Sequence, residues 1–373
     1  METRKIQQVG GGTYTVSLPG WWATEHGVSA GDTAYLYPHS DGSLVVRWGE
    51  AADSPLASTR VPVPSDAPPR AAADALDAAY VAGFEEIDVS GGVAASPPPA
   101  AEVAVSAPQS ARSDGDGSGT AGPTAAQRDA VIDRARTLPG VDVAASSADH
   151  VAVRGLFDAA DVSIRRSLMR LRFNALAAHE AAIDAVTASG GGVVERVEDR
   201  CHTADRTVRL IERYGNRGLA QRSTLDALAV SRPQVAGCVA AARALERATA
   251  RAGDVAAVGE RAAGSLDDDV ARVLRGVSED ACASVDAATD ALVEAVGGSS
   301  RVPSAHDARR QCARVRRVAD CVECAALDDD AAAMRTPSTA AVAVRALDGL
   351  VGTADCGAAI AAVALRMAVG VQR

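Results

Sequence analysis

Cys321-Val-Glu-Cys324 is the first stretch to ask about, because two thiols three residues apart can bind a metal or cycle to a disulfide. A zinc site needs a second pair of cysteines or histidines at fixed spacing, and the sequence offers none. A redox pair belongs at a strand-to-helix junction, whereas this one sits inside a helical pattern. The seven cysteines are Cys201, Cys238, Cys282, Cys312, Cys321, Cys324 and Cys356. Their number is odd and their spacing irregular, so they read as reduced, mostly buried small hydrophobes. Glu180-x-x-x-Asp184 puts two carboxylates on one helix face and reads as solvated surface. The six histidines do not fall near Ser or Cys in the pattern of a triad. No GxxxxGK[ST] loop occurs, and the glycine triples at 10–12 and 190–192 are not followed by lysine. These residues argue against an enzyme.

The elements that must position these side chains follow from composition and periodicity. Apolar residues make up 47% of the 373 residues but aromatics only 3%. A core of Ala, Val and Leu suits closely packed helices. No run of about 18 apolar residues free of charge is found, so no membrane span is expected. The N-terminus has no apolar leader, which places the chain in the cytoplasm. Net charge is −10, and Lys5 is the only lysine among the 38 basic residues. This acidic, lysine-poor composition resembles that of salt-in halophiles, and a GC-rich genome favouring Ala, Arg, Gly and Asp codons is the alternative.

Residues 3–9 and 13–18 read as strands joined at Gly10-Gly11-Gly12. Pro19 opens a short helix that Gly27 ends, and two more strands follow around an Asp41-Gly42 turn. A unit of about fifty residues buries too little surface alone and should dimerise, with Trp21, Trp22 and Trp48 as its apolar payload. Residues 58–156 read as a small α/β module, interrupted at 93–125 by an Ala/Pro/Ser/Gly/Asp stretch expected to be a flexible loop. From residue 161 helical periodicity takes over, with breaks at 189–192, Pro233, Gly264, Gly297-Gly298 and Pro337 that leave about six long helices. Arg243-Ala-Leu-Glu246 returns as Arg345-Ala-Leu-Asp348, each followed by an aspartate, Asp254 and Asp355. A unit of about 100 residues present twice predicts two tandem three-helix bundles, over 161–263 and 267–373. The fold class expected is mainly α, preceded by a small all-β domain at 1–50 and the α/β module.

RKIQQVGGGTYTVSLPGWWATEHGVSAGDTAYLY resembles the swapped-hairpin DNA-binding fold of AbrB and the MazE antidotes, Leu18-Pro19 and Gly31-Asp32 matching the family pattern. The resemblance implies a homodimer that meets promoter DNA with Arg4 and Lys5, flanked by Gln7, Gln8 and Tyr14. Residues 1–50 carry a net charge of −2, so a dimerisation module that no longer reads DNA stays open as an alternative.

GTADCGAAIAAVALR is similar to the last helix of PhoU-domain proteins, the phosphate-uptake regulators, with Asp355 and Ile360 at matching places. VVERVEDRCHTADRTVRLIERYGNRGL resembles that family's middle helix. An AbrB-like head joined to tandem PhoU bundles is an arrangement similar to that of haloarchaeal PhoU-like regulators. It implies partners such as the ATPase of a phosphate ABC transporter or a signalling protein. In that family acid-x-x-x-Asp pairs hold metal clusters, because residues i and i+4 share a helix face. Here the pairs are Cys201-x-x-x-Asp205, Asp320-x-x-x-Cys324, Ala250-x-x-x-Asp254 and Val351-x-x-x-Asp355. The resemblance therefore gives Asp205, Asp254, Asp320 and Asp355 as remnants, with Cys201 and Cys324 as soft ligands for zinc or iron. The alternative is that the helices keep the fold after losing the cluster, and no cofactor is expected.

Overall fold

The computed structural model describes residues 3–38, 44–48, 56–92, 122–187, 193–262, 266, 268–326 and 337–370. The chain forms two compact units, Met1–Pro55 and Leu56–Arg373.

In the first unit, β1 (Gln7–Val9) pairs antiparallel with β2 (Thr13–Thr15), with Gln8 opposite Tyr14. Gly10, at φ 67°, supplies the left-handed residue that this tight reversal needs. Helix α1 (Gly20–Glu25) follows Pro19 and ends before Gly27, also at positive φ. β3 (Ala34–Pro38) and β4 (Leu44–Trp48) form a second hairpin, whose Asp41-Gly42 turn lies outside the described residues. No residue described in this unit is buried. Ile6, Tyr14, Leu36 and Trp21 all lie open, Trp21 at 63% exposure, and Trp22 stacks on His26 at 4.7 Å. Within one chain, then, Trp21 fills no core, and the side chain of Trp48 lies outside the described residues. The reason is physical: two separate hairpins of three to five residues per strand have no second layer to close against.

The second unit opens with β5 (Ser58–Pro64), α2 (Pro69–Ala82), β6 (Glu86–Gly92), α3 (Ala125–Thr137), β7 (Val141–Ser146) and β8 (His150–Gly155). The sheet order is β5-β6-β8-β7, parallel only at β5-β6, where α2 makes the crossover. The helices pack Leu76, Tyr80, Val131 and Ala135 on Val63, Ile87, Val89, Val151 and Val153. A capping box of Thr124 and Gln127 starts α3, and Gln127 also bonds the carbonyls of Pro64 and Ala67. The loop expected at 93–125 is shorter at its far end, because this box turns Ala125 into helix; residues 93–121 lie outside the described residues.

Six long helices make up the rest: α4 (Ile164–Thr187), α5 (Val193–Ala220), α7 (Arg232–Ala262), α8 (Asp268–Val296), α9 (Pro303–Ala326) and α10 (Pro337–Gly370), with a short α6 (Arg222–Leu228). Pro233 and Pro337 begin helices instead of ending them, since the first turn needs no proline N–H. Helices α4, α7, α10 and α8 close a square, each packed on the next. Helix α5 lies against α4 and α7, and α9 against α8 and α10. Two hydrophobic cores lie one above the other, and each draws on all six helices. The boundary drawn at 263–267 from the sequence is therefore not a boundary between cores.

Ala244, Leu245, Ala248 and Ala252 on α7 match Ala346, Leu347, Leu350 and Ala354 on α10, and all eight are buried. Small residues let the helices nearly touch: a methyl on Gly259 would stand 2.6 Å from the Ala185 carbonyl oxygen. The segment Ala340–Gly370 has mean hydropathy 1.5 and length enough to cross a membrane, but half of its most apolar window is buried between its neighbours. Its apolar face packs on α7, α8 and α9.

Candidate functional site

Helix α5 carries the densest polar chemistry in the second unit. Asp205 accepts from Arg209 one turn on, at 3.0 Å. Arg134 of α3 forks onto Asp77 of α2 with two bonds of 2.7 Å, and it stands 3.8 Å from Asp205. Arg209 also lies 3.7 Å from Asp77. The hydrogen bonds that Arg134 donates to Asp77 push its guanidinium up from its usual value. Asp205 is thus one corner of a four-residue network that joins the α/β module to the helices. Further along α5, the buried Arg213 donates to the Tyr80 and Phe84 carbonyls at 2.8 and 2.7 Å, with its guanidinium 4.7 Å over the Tyr80 ring. Arg217 reaches the Gly83 carbonyl and Glu85, Asn216 reaches the Val81 carbonyl, and the Tyr214 hydroxyl donates to Phe157. Cations placed on the last carbonyls of α2 satisfy groups that the helix itself leaves open. Burial pushes the Tyr80 phenol up, so it stays a neutral donor to the Pro139 carbonyl.

The sites expected for metal are arranged in pairs. On α5 and α7, the Cys201 thiol is 3.6 Å from the Thr249 carbonyl, and Asp254 nearby accepts from Arg251 at 3.2 Å. Burial, then Glu198 and Asp254, push the Cys201 thiol up. On α9 and α10, the Cys312 thiol donates to Asp355 at 3.4 Å, and Arg316 holds the same carboxylate at 2.7 Å. Burial and the hydrogen bond to Asp355 push Cys312 up to about 11.

In each half, then, a thiol stands near an aspartate of a neighbouring helix. Asp320 and Cys324 lie about two and three turns further along α9, where Cys321 and Cys324 are exposed. The donors around Cys201 and Cys312 do not fit zinc or iron: both thiols are held protonated, and Asp205, Asp254 and Asp355 are already paired with arginine. No group of three His, Cys, Asp or Glu side chains able to hold an ion occurs among the described residues.

His179 is a titratable group at the centre of the helices that sequence reading passed over. It is 1% exposed, and its Nε2 lies 2.9 Å from both the Ala248 carbonyl and the Thr353 hydroxyl. A carbonyl only accepts, so Nε2 carries the proton; Nδ1 is buried without a hydrogen-bond partner among the described residues. Burial lowers this imidazole to about 4. The signal was its place in the buried series Ala175, Ala178, Ala182, one step from an exposed acid.

In the first unit, Arg4, Lys5, Gln7, Gln8 and Tyr14 are all exposed, and Gln8 and Tyr14 sit side by side across β1 and β2. The hairpin thus groups Gln7, Gln8 and Tyr14 on one short two-stranded ribbon, and Arg4 and Lys5 lie just before its first strand. No family model, no curated protein and no solved structure matches the chain.

Proposed function

We propose that the chain is a PhoU-like regulator of phosphate uptake and homeostasis that acts as a homodimer and binds promoter DNA through its first fifty residues. The observation that carries the reading is the two-halved helical array. Helices α4, α5 and α7 form one set of three and α8, α9 and α10 a second, with equivalent partners across the α4·α8 and α7·α10 contacts. Tandem PhoU-like bundles are such a pair of sets. The open first unit, whose apolar side chains lack a second layer, supports a swapped-hairpin dimer with Arg4, Lys5, Gln7, Gln8 and Tyr14 toward DNA. A partner such as a phosphate transporter ATPase or a signalling protein would dock on the helices and favour one arrangement of the dimer. Head spacing on DNA then changes through that coupling.

The test is selection of bound duplexes from a random pool by the full-length protein, followed by titration of the selected sequence. Arg4→Ala with Lys5→Ala should weaken binding at least tenfold. It should also flatten the slope of log K against log salt by roughly 0.9 for each phosphate that the variant no longer neutralises. Selection of no duplex refutes the reading. The net charge of −2 in residues 1–50 favours a second reading, an adaptor for a phosphate transporter whose head only dimerises. That reading keeps the dimer and predicts no DNA binding.

A further inference from the structure

The outer face of α4 is complementary to itself. Arg166, Arg170, Phe173, Ala177, Glu180 and Asp184 are spaced alternately four and three residues apart, which keeps a stripe on one side of a helix packed at a shallow angle on another. Five of the six are exposed and Ala177 half-buried. Phe173 is 65% exposed in a chain that has only three phenylalanines. The stripe is basic at one end, apolar in the middle and acidic at the other. None of its four charged side chains is ion-paired among the described residues, although Arg172, beside them, binds both Asp286 and Asp290 at 2.5 Å. The Arg200 guanidinium of α5 stands 5.9 Å over the Phe173 ring. A groove of about 670 Å³ between α4 and α8 flanks the stripe, floored by Leu176, Ile183 and Ala283.

We infer that this face is an interface between two copies of the chain, with the two α4 helices antiparallel about a twofold axis level with Ala175. About that axis Arg166 meets Asp184 of the second copy, Arg170 meets Glu180, and Phe173 meets Ala177, each contact occurring twice. A twofold interface requires such a patch, in which residue i touches j and j touches i. The large ring against the small methyl fills space that two rings in register would contest. Phe173 also enters the groove beside Ala177, which widens the contact beyond one helix face toward the roughly 800 Å² per partner of a stable pair. An acidic or basic partner of single sign fits only half of the stripe, and duplex DNA meets the carboxylates of the other half. The interface belongs to the helical unit and stands apart from the DNA-binding reading.

The test places the photoreactive p-benzoyl-phenylalanine at position 173 of the full-length protein. Irradiation should give a crosslinked dimer whose attachment maps to the second copy's α4 near Ala177 or to the adjoining α8 wall. Arg170→Glu should cut the crosslink yield at least tenfold while leaving the circular dichroism unchanged, since the side chain is exposed and has no ion pair among the described residues. Adding Glu180→Arg to that variant restores opposite charges at both contacts and should restore the yield. Attachment elsewhere, indifference to Arg170→Glu, or failure of the double swap to restore the yield each overturns the inference. A particle of dimeric mass by light scattering without the crosslink also overturns it, and leaves dimerisation to the first unit.

Discussion

His179 makes a quantitative prediction about acid. The folded protein holds its imidazole at about 4, while the unfolded chain has the ordinary value of about 6.5. Between those values the unfolded state binds the extra proton, so stability must fall as pH drops from about 6.5 toward about 4. Above about 7 neither state is charged and the term vanishes. Integrating from pH 7 to pH 5 gives a loss of about 2 kcal/mol from this one residue, and below about 4 the loss levels off near 3 kcal/mol. The physical source is burial inside the α4–α7–α10 contact, where Nδ1 has no partner among the described residues to take a second proton.

Many carboxylates titrate in the same range, so the measurement is a difference. His179→Gln keeps an N–H donor for the Ala248 carbonyl and removes the titration. Urea unfolding followed by circular dichroism at pH 7 and pH 5 should show the parent losing about 2 kcal/mol more than the variant. Equal losses within about 0.5 kcal/mol would mean that His179 is hydrated or partnered at Nδ1, and the reasoning would fail.

Two further outcomes follow from the packing. Arg213→Met removes both donors from the buried Tyr80 and Phe84 carbonyls and should cost about 3 kcal/mol, read as a lower urea midpoint; a cost below about 1 kcal/mol would remove Arg213 as the clamp between α2 and α5. With a chromogenic disulfide reagent on the native protein, Cys321 and Cys324 should react first, while Cys238, pushed up to about 12 by burial, and Cys312 should wait for unfolding. Fast labelling of Cys238 would contradict its enclosure in the core with Leu168, Leu245 and Leu292.

How far the sequence could be read depended on how local the cause was. The hairpin at Gly10, the start of α10 at Pro337 and the strands of the α/β module follow from neighbours within a few residues. The metal remnants did not, because some of the partners of a carboxylate come from other helices. Asp205 looks like half of a lost chelate in sequence, but in the fold it faces Arg209 and Arg134. Asp355 likewise faces Arg316, where a cation was expected. Glu180 and Asp184, read as plain solvated surface, acquire meaning only beside Arg166 and Arg170 on the same stripe.

By itself the sequence determined the element types: short strands first, an α/β module next, then long alanine-rich helices with a repeat near 100 residues. Those follow from backbone preference and side-chain period, which act over a turn or two. Only the tertiary structure decided that the six helices share two cores, that Cys312 meets Asp355, and that His179 is sealed at the centre. Such facts depend on the rotation and offset of one helix against another. Ala-rich faces leave that register weakly marked in sequence, because one small side chain resembles the next, until close packing fixes which ones touch.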